Sequence, residues 1–308
     1  MKHFINIADF TADQLGNLLD KAAADKRDFK AGKLQPTLAR KVMAMIFEKP
    51  SLRTRVSFEA GMVHLGGSAI YLAPGDIGLG SREPVQDVAR VLASMCDVIM
   101  ARTFSHQSIE QLARFSDVPV INALSDYSHP CQAMADIMTA IEAFGPLEGK
   151  KLAFVGDGNN VARSLAVLCA KLGVEFAIAT PGDYRLEPTF LDWVRDRADG
   201  ATLSETTDPA EAIDGAQIVY TDTWVSMGQE DEKARRVKDF DGFQVSAKLM
   251  SAAADDAIVM HCLPAYRGYE IDEETFEAHS ETIIRQAENR LHLQRSLVEQ
   301  LVLRGGLH

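Results

Sequence analysis

The chain has 308 residues, 46% of them hydrophobic, enough for one large or two medium domains with a substantial core and too apolar for a disordered or fibrous chain. Against 32 Lys and Arg stand 44 Asp and Glu, a net charge of -12. That balance argues against nucleic acid or an anionic membrane as partner, and it makes any local basic cluster conspicuous.

The four cysteines, Cys96, Cys131, Cys169 and Cys262, form no C-x-x-C pair, which fits a reducing compartment and no metal centre. The start "MKHFINIADF" is too polar for a signal peptide, and no apolar run is long enough to span a membrane, so cytoplasm is the expected location.

In chain order, "TADQLGNLLDKAA" has a capping-box spacing, Thr11 to Gln14, with Leu15, Leu18, Leu19 and Ala22 on one helical face. Short apolar runs at 41–47, 68–72, 97–101 and 118–122 then read as strands, with helical stretches at 84–96 and 107–115 between them. A helix over 131–144 is followed by the turn-rich "GPLEGKK", after which alternation restarts with the strand-like "KLAFVGD", "EFAIAT", "AQIVYTD" and "AIVMHCLP". A last helix over 285–303 carries Leu291, Val298 and Leu301 among charges. Such βα repetition predicts an α/β fold with parallel sheets covered by helices, in two domains meeting near 130–150.

In open parallel sheets, ligands bind beyond the carboxyl ends of the strands, and the polar clusters fall at those ends. "SLRTR" follows the first strand, with Ser51 and Thr54 as hydroxyl donors, helix-start amides and the planar fork of Arg53. A phosphate cradle and an ordinary Ser51 N-cap with solvent-facing arginines are equally good readings of that stretch alone. "GDGNN" has Val161 where a dinucleotide fingerprint needs a third small residue, so a tight strand-to-helix turn is the better reading, with Asn159 and Asn160 placed to aim amides at a small ligand. Cys262 in "HCLPA" reads as packing more readily than as a nucleophile. His129, before Pro130, suits a ligand-facing loop as well as a structural role. Asp222 fits an N-cap, with Trp224 and Met227 as core.

Together "FEKPSLRTRVSFE", "ARTF", "HPCQ", "GDGNNVARS", "DTWVSMG" and "HCLPAYRG" resemble the ordered signatures of the ornithine carbamoyltransferase family over nearly the whole chain. The resemblance implies two α/β domains, each a parallel sheet flanked by helices, joined by interdomain helices. A carbamoyl-phosphate-binding domain would span 1–130, with the helix 285–303 free to pack back on it, and an ornithine-binding domain would span 150–284. It implies transfer of the carbamoyl group of carbamoyl phosphate to the δ-amino group of L-ornithine, giving citrulline and phosphate, in a homotrimer or a multiple of trimers. No metal or organic cofactor is implied, because carbamoyl phosphate is already activated.

By the same resemblance, Ser51, Leu52, Arg53 and Thr54 cradle the phosphate, assisted by Arg102. His129 and Gln132 address the carbamoyl group, and Arg290 is a further contact from the last helix. Arg102, His129 and Cys262 are the implied catalytic residues; Cys262 and Leu263 flank the δ-amine and also count among the carbamoyl-phosphate contacts. Asn160, Asp222, Ser226 and Met227 take the amino acid, with Asp222 pairing with its α-ammonium. A sister transcarbamylase acting on putrescine or an acylated ornithine is the alternative, disfavoured because putrescine would leave Asp222 unsatisfied. One departure stands out: Gly78 replaces the family's usual glutamine on a loop that reaches a neighbouring subunit, and Ser81 and Arg82 follow where glycine and arginine are common. Arg82 or Ser81 is the expected substitute, against an alternative in which Arg82 pairs with Glu83 or Asp87 at the surface.

Overall fold

The apolar run "VMAMIF" forms β1 (Val42–Phe47), and five of its six residues are buried, as expected of a strand covered on both faces. The computed structural model describes residues 2–197, 202–226 and 228–307. Two compact units divide the chain, Met1–Met138 with Glu288–His308, and Thr139–Ala287.

In the first unit, α1 (Ala12–Lys30) begins with the Thr11–Gln14 capping box, and Leu15, Leu18, Leu19 and Ala22 are its buried face. After β1 come α2 (Leu52–His64), β2 (Ser68–Leu72), α3 (Pro74–Ile77), α4 (Val85–Met95), β3 (Val98–Arg102), α5 (His106–Phe115), β4 (Val120–Leu124) and α6 (Pro130–Phe144). The strands pair in parallel in the order β2-β1-β3-β4. Ala44, Ile46, Ile99, Ala101 and Val120 on one sheet face pack with Val85, Val88 and Ala89 of α4 and with Ile109 and Leu112 of α5.

The second unit contains β5 (Lys151–Val155), α7 (Asn160–Leu172), β6 (Glu175–Ala179), α8 (Pro188–Arg195), β7 (Leu203–Thr206), α9 (Pro209–Ile213), β8 (Ile218–Thr221), α10 (Lys233–Asp239), α11 (Ala247–Met250), β9 (Ile258–His261) and α12 (Glu273–Ala278). Its parallel sheet runs β7-β6-β5-β8-β9. Each sheet therefore reverses its winding once, between β1 and β3 in the first unit and between β5 and β8 in the second. Crevices beyond the strand ends at such reversals are where α/β sheets bind ligands. "SLRTR" and "ARTF" leave one reversal, "GDGNN" and "DTW" the other.

The last helix, α13 (Ser280–Arg304), starts earlier than the apolar spacing predicts and continues into the first unit from Glu288 onward. Its central part is buried on all sides: Asn289, Arg290, His292, Gln294, Arg295 and Ser296 are as buried as Leu293 and Leu297. Polar anchoring to α1 explains this. Arg295 donates to the Asp25 carbonyl, Ser296 to the Asp25 carboxylate at 2.5 Å, and Lys26 to Asn289 at 2.7 Å.

Candidate active site

At the end of β1, Ser51 is extended (φ -160, ψ 116) and its Oγ accepts from the Thr54 amide, so the sequence does place an N-cap here. The cap is also part of a donor cluster. Thr54 Oγ1 accepts from Ser51 Oγ at 3.1 Å and from Arg290 Nη2 at 2.7 Å, which keeps its own hydroxyl hydrogen as a donor. Arg290 thus reaches the start of α2 from α13. Leu52 has an exposed side chain and contributes to the cluster only its place in the first turn, where backbone N–H groups carry partial positive charge. Arg55 points elsewhere: it pairs with Glu59 and lies over the Tyr71 ring, 4.2 Å from its centroid.

Arg102 is the last residue of β3, is 5% exposed and pairs in register with Phe47. The β3–β4 register shifts between Ala101 and Arg102, the kind of irregularity that re-aims a side chain at a strand end. Glu48 ties the two strand ends together, its amide donating to the Arg102 carbonyl and its carboxylate accepting from the Phe104 amide at 2.7 Å.

His129 is 4% exposed at the start of α6. Burial, then the charges of Arg290, Arg102 and Arg53, hold its pKa well below the ordinary histidine value. The imidazole is therefore neutral near pH 7 and is a hydrogen-bond donor without charge. Gln132, one turn along, donates Nε2 to Asp136 at 2.7 Å. A carboxylate accepts only from the amide NH2, so Oε1 is the end left over, and it is buried without a hydrogen-bond partner. Three guanidiniums, a helix start, a neutral histidine and an unpaired amide oxygen are chemistry able to complement an anion, a carbonyl oxygen and an NH2 group.

The second unit holds a different set. Asp222 follows β8 and is 7% exposed. Its Oδ1 accepts from the Thr223 amide at 2.8 Å and from the Cys262 thiol at 3.0 Å, and its Oδ2 from Asn159 Nδ2 at 2.9 Å. Asp222 is thus the centre of a network and not an N-cap. Asn159 is the cap, its Oδ1 receiving the Val161 and Ala162 amides at the start of α7. Gly158 is needed where it stands, because a Cβ there would lie 2.7 Å from the Tyr184 carbonyl oxygen. "GDGNN" is thus a tight turn that also carries an amide to Asp222.

Cys262 and Leu263, expected among the carbamoyl-phosphate contacts, lie in this unit beside Asp222. Leu263 has φ 61, a left-handed backbone that a leucine rarely adopts. Its amide is anchored by His261 Nδ1 at 2.8 Å, while His261 Nε2 faces Glu270 Oε1 at 3.1 Å. Asp222, His261 and Cys262 bring possible metal-ligating atoms within 4.8 Å of one another. Both imidazole nitrogens of His261 are already engaged, by the Leu263 amide and by Glu270, which leaves neither of them free as a ligand atom. Asn160 opens α7, and Ser226 donates its amide to Gln229 Oε1 at 3.0 Å. Met227 lies outside the described residues. The sequence reading did not single out Asn159 as an Asp222 partner, nor Asp157, Arg236, His261 or Glu270. Their signal lies in long-range pairing, which no local motif displays.

A family model described as the aspartate/ornithine carbamoyltransferase carbamoyl-P binding domain matches residues 2–142, and one for the Asp/Orn binding domain matches 148–301. The chain belongs to the aspartate/ornithine carbamoyltransferase family. Within it, the chain is 48% identical over 300 residues to an ornithine carbamoyltransferase of Nitratiruptor sp., covering 97% of each. It is similar in structure to the ornithine carbamoyltransferase of Pyrococcus furiosus, with a TM-score of 0.94, 44% identity and coverage of 99% of this chain and 97% of that one. An anabolic ornithine carbamoyltransferase from Campylobacter jejuni gives a TM-score of 0.92 at 42% identity, covering 98% of this chain and 99% of that one.

On the loop where the resemblance leads one to expect glutamine, Gly78 ends α3 in the left-handed region (φ 60) and Ser81 Oγ donates to its carbonyl at 3.0 Å. Arg82 is exposed, with Glu83 as its ion-pair partner at 3.7 Å.

Proposed function

We propose that this protein transfers the carbamoyl group of carbamoyl phosphate to the δ-amine of L-ornithine, releasing citrulline and phosphate. The observation that carries the reading is the convergence of Arg53, Arg102 and Arg290 on the buried, neutral His129 in a chain whose net charge is -12. The first unit is the carbamoyl-phosphate domain. Arg53, Ser51, Thr54 and the first-turn amides of α2, including that of Leu52, hold the phosphate, with charge-assisted bonds from guanidinium to phosphate oxygen. Arg102, the Thr54 hydroxyl and His129 donate to the carbonyl oxygen, and Gln132 Oε1 accepts from the carbamoyl NH2. Charge grows on that carbonyl oxygen as the amine attacks, so donors already in place lower the barrier.

The second unit is the ornithine domain. Asp222 takes the α-ammonium, Asn160 and the Ser226–Met227 stretch hold the α-carboxylate, and Cys262 with the Leu263 backbone flanks the δ-amine. In the reaction the deprotonated δ-amine forms a C–N bond to the carbonyl carbon. The bond from that carbon to the phosphate oxygen breaks with its electron pair, and the amine gives up one proton as phosphate leaves. Positioning and charge stabilisation supply the catalysis.

The working assembly is a homotrimer or a multiple of trimers. In its support, Leu52, Val56 and Val63 form an exposed apolar stripe along one face of α2, beside exposed Ile70 on the edge strand β2. A light-scattering mass of three chains, or a multiple, is expected. A cytoplasmic location is supported by four free cysteines, and a biosynthetic role in arginine metabolism by the likeness to the anabolic Campylobacter jejuni enzyme. Among the described residues, no helix is long and apolar enough to cross a membrane.

The decisive experiment is a citrulline assay with carbamoyl phosphate against ornithine, putrescine, N-acetylornithine and aspartate. Ornithine alone is expected to be carbamoylated at an appreciable rate. Preference for putrescine or the acylated amine would overturn the acceptor assignment, and no product with any amine would overturn the activity.

A further inference from the structure

Arg236, on α10, is 6% exposed, in a stretch, "KARRVK", that looks like a solvated charge run. Its Nη1 donates to Asp157 Oδ2 at 2.7 Å and to the Trp224 carbonyl at 3.0 Å, its Nε donates to Glu232 at 2.9 Å, and its guanidinium lies 4.8 Å from the Tyr184 ring centroid. Asp157 stands two residues before Asn159 in "GDGNN", and Trp224 stands two residues after Asp222. One planar cation therefore fastens both loops whose residues meet at the Asp222 carboxylate.

From this we infer that Arg236 and Asp157 form a positioning pair that sets the acceptor-binding loop and thereby the affinity for the amino-acid substrate. The inference rests on the reading of Asp222 as the α-ammonium partner. Burial raises the pKa of Asp157, and the Asp222 and Glu232 charges push the same way, while Arg236 opposes them. Lysine keeps the charge and loses the fork that serves carbonyl and carboxylate together.

The test compares the full-length wild type with Arg236→Gln, Arg236→Lys, Asp157→Asn and the Arg236→Gln/Asp157→Asn double variant. Losing charge-assisted bonds of this kind corresponds to roughly a tenfold to hundredfold effect. The KM for ornithine is expected to rise by that factor in Arg236→Gln and less in Arg236→Lys, with kcat and the KM for carbamoyl phosphate little changed. The double variant is expected to be no worse than the worse single one, because the pair acts as a unit. Amide hydrogen exchange across 222–226 is expected to accelerate in Arg236→Gln while β5 and β8 stay protected. Equal losses toward both substrates, additive single effects, or unchanged exchange in that loop would each overturn the inference. The exchange arm reads out without turnover, so a wild type that makes no citrulline counts against the activity and leaves the positioning pair still decidable.

Discussion

The Cys262 thiol donates to Oδ1 of Asp222 at 3.0 Å across 40 residues of sequence. With Asn159 on the other oxygen, the carboxylate is held from two sides and its orientation is fixed before any substrate arrives. Asp222→Asn retains the shape and removes the charge. Ornithine binding, followed by calorimetry with a carbamoyl-phosphate analogue present, is expected to weaken roughly tenfold to a hundredfold. Affinity for the analogue alone should be unchanged, since the residues proposed for it lie in the other unit. Equal loss for both ligands would contradict the division of labour between the units.

Thr54 accepts from Ser51 and Arg290 and keeps one hydrogen to donate. Thr54→Val removes that donor at nearly constant volume. If it faces the carbonyl oxygen, kcat is expected to fall by about 10² to 10³, the effect of losing one donor to a developing oxyanion. Far-ultraviolet circular dichroism should change little, while the melting temperature is expected to fall modestly because buried Arg290 loses its acceptor at Thr54. Arg290→Lys is expected to be impaired as well, because a single ammonium replaces the guanidinium fork.

The "SLRTR" stretch was legible because donors crowd one helix start in an acidic chain, and the central strand β1 because a parallel strand buried on both faces is apolar throughout. Edge strand β7 and helices α8 and α9 drew no reading. The visible residues of β7 are only half covered, so its sequence "LSET" lacks the apolar run that marks a central strand. The start of α13 was missed because its first turn, "SETII", buries a single apolar side chain, Ile283, while Ile284 is exposed, too little for hydrophobic periodicity to register. Arg236 drew no reading because nothing local separates it from Arg235, which is exposed and pairs with Asp239.

Acid should destabilise the fold through histidines buried neutral. His292, fully buried, has its pKa lowered from 6.5 to about 4, chiefly by burial, with Arg295 and Lys26 adding to the shift and Glu288 opposing it. His3 is lowered to about 4 as well, again mainly by burial, and His129 lies well below the ordinary value. His3 and His292 take up protons in the unfolded chain below about pH 6.5, while the folded protein keeps them neutral down to about 4. Stability is therefore present above about pH 6.5 and is lost as pH falls through that window, by up to about 1.4 kcal/mol per pH unit for each histidine. Urea unfolding between pH 7.5 and 4.5 should show the decline, and His292→Asn should make it shallower. An equally steep fall in that variant would remove His292 from the account.

Gly78 and Arg82 are fitted to one another. Gly78 takes the left-handed conformation that ends α3, and a Cβ added there would lie 2.8 Å from the Arg82 Cβ, a collision no rotamer of Arg82 relieves. Glutamine, the residue the family resemblance leads one to expect at this position, is therefore incompatible with the present loop for two reasons: the backbone angle, costing roughly 1 to 2 kcal/mol, and the clash. Gly78→Gln is expected to open the loop across 76–84 to protease and to lower activity if that loop completes a neighbouring subunit's site. Arg82→Gly alone should cost little stability, since it removes only an exposed ion pair with Glu83. The double substitution removes the clash and leaves the backbone term, so its loop should be less protease-sensitive than that of Gly78→Gln. If the double variant is cleaved as fast as the single one, the two residues are not matched, and the departure at position 78 has a cause other than Arg82.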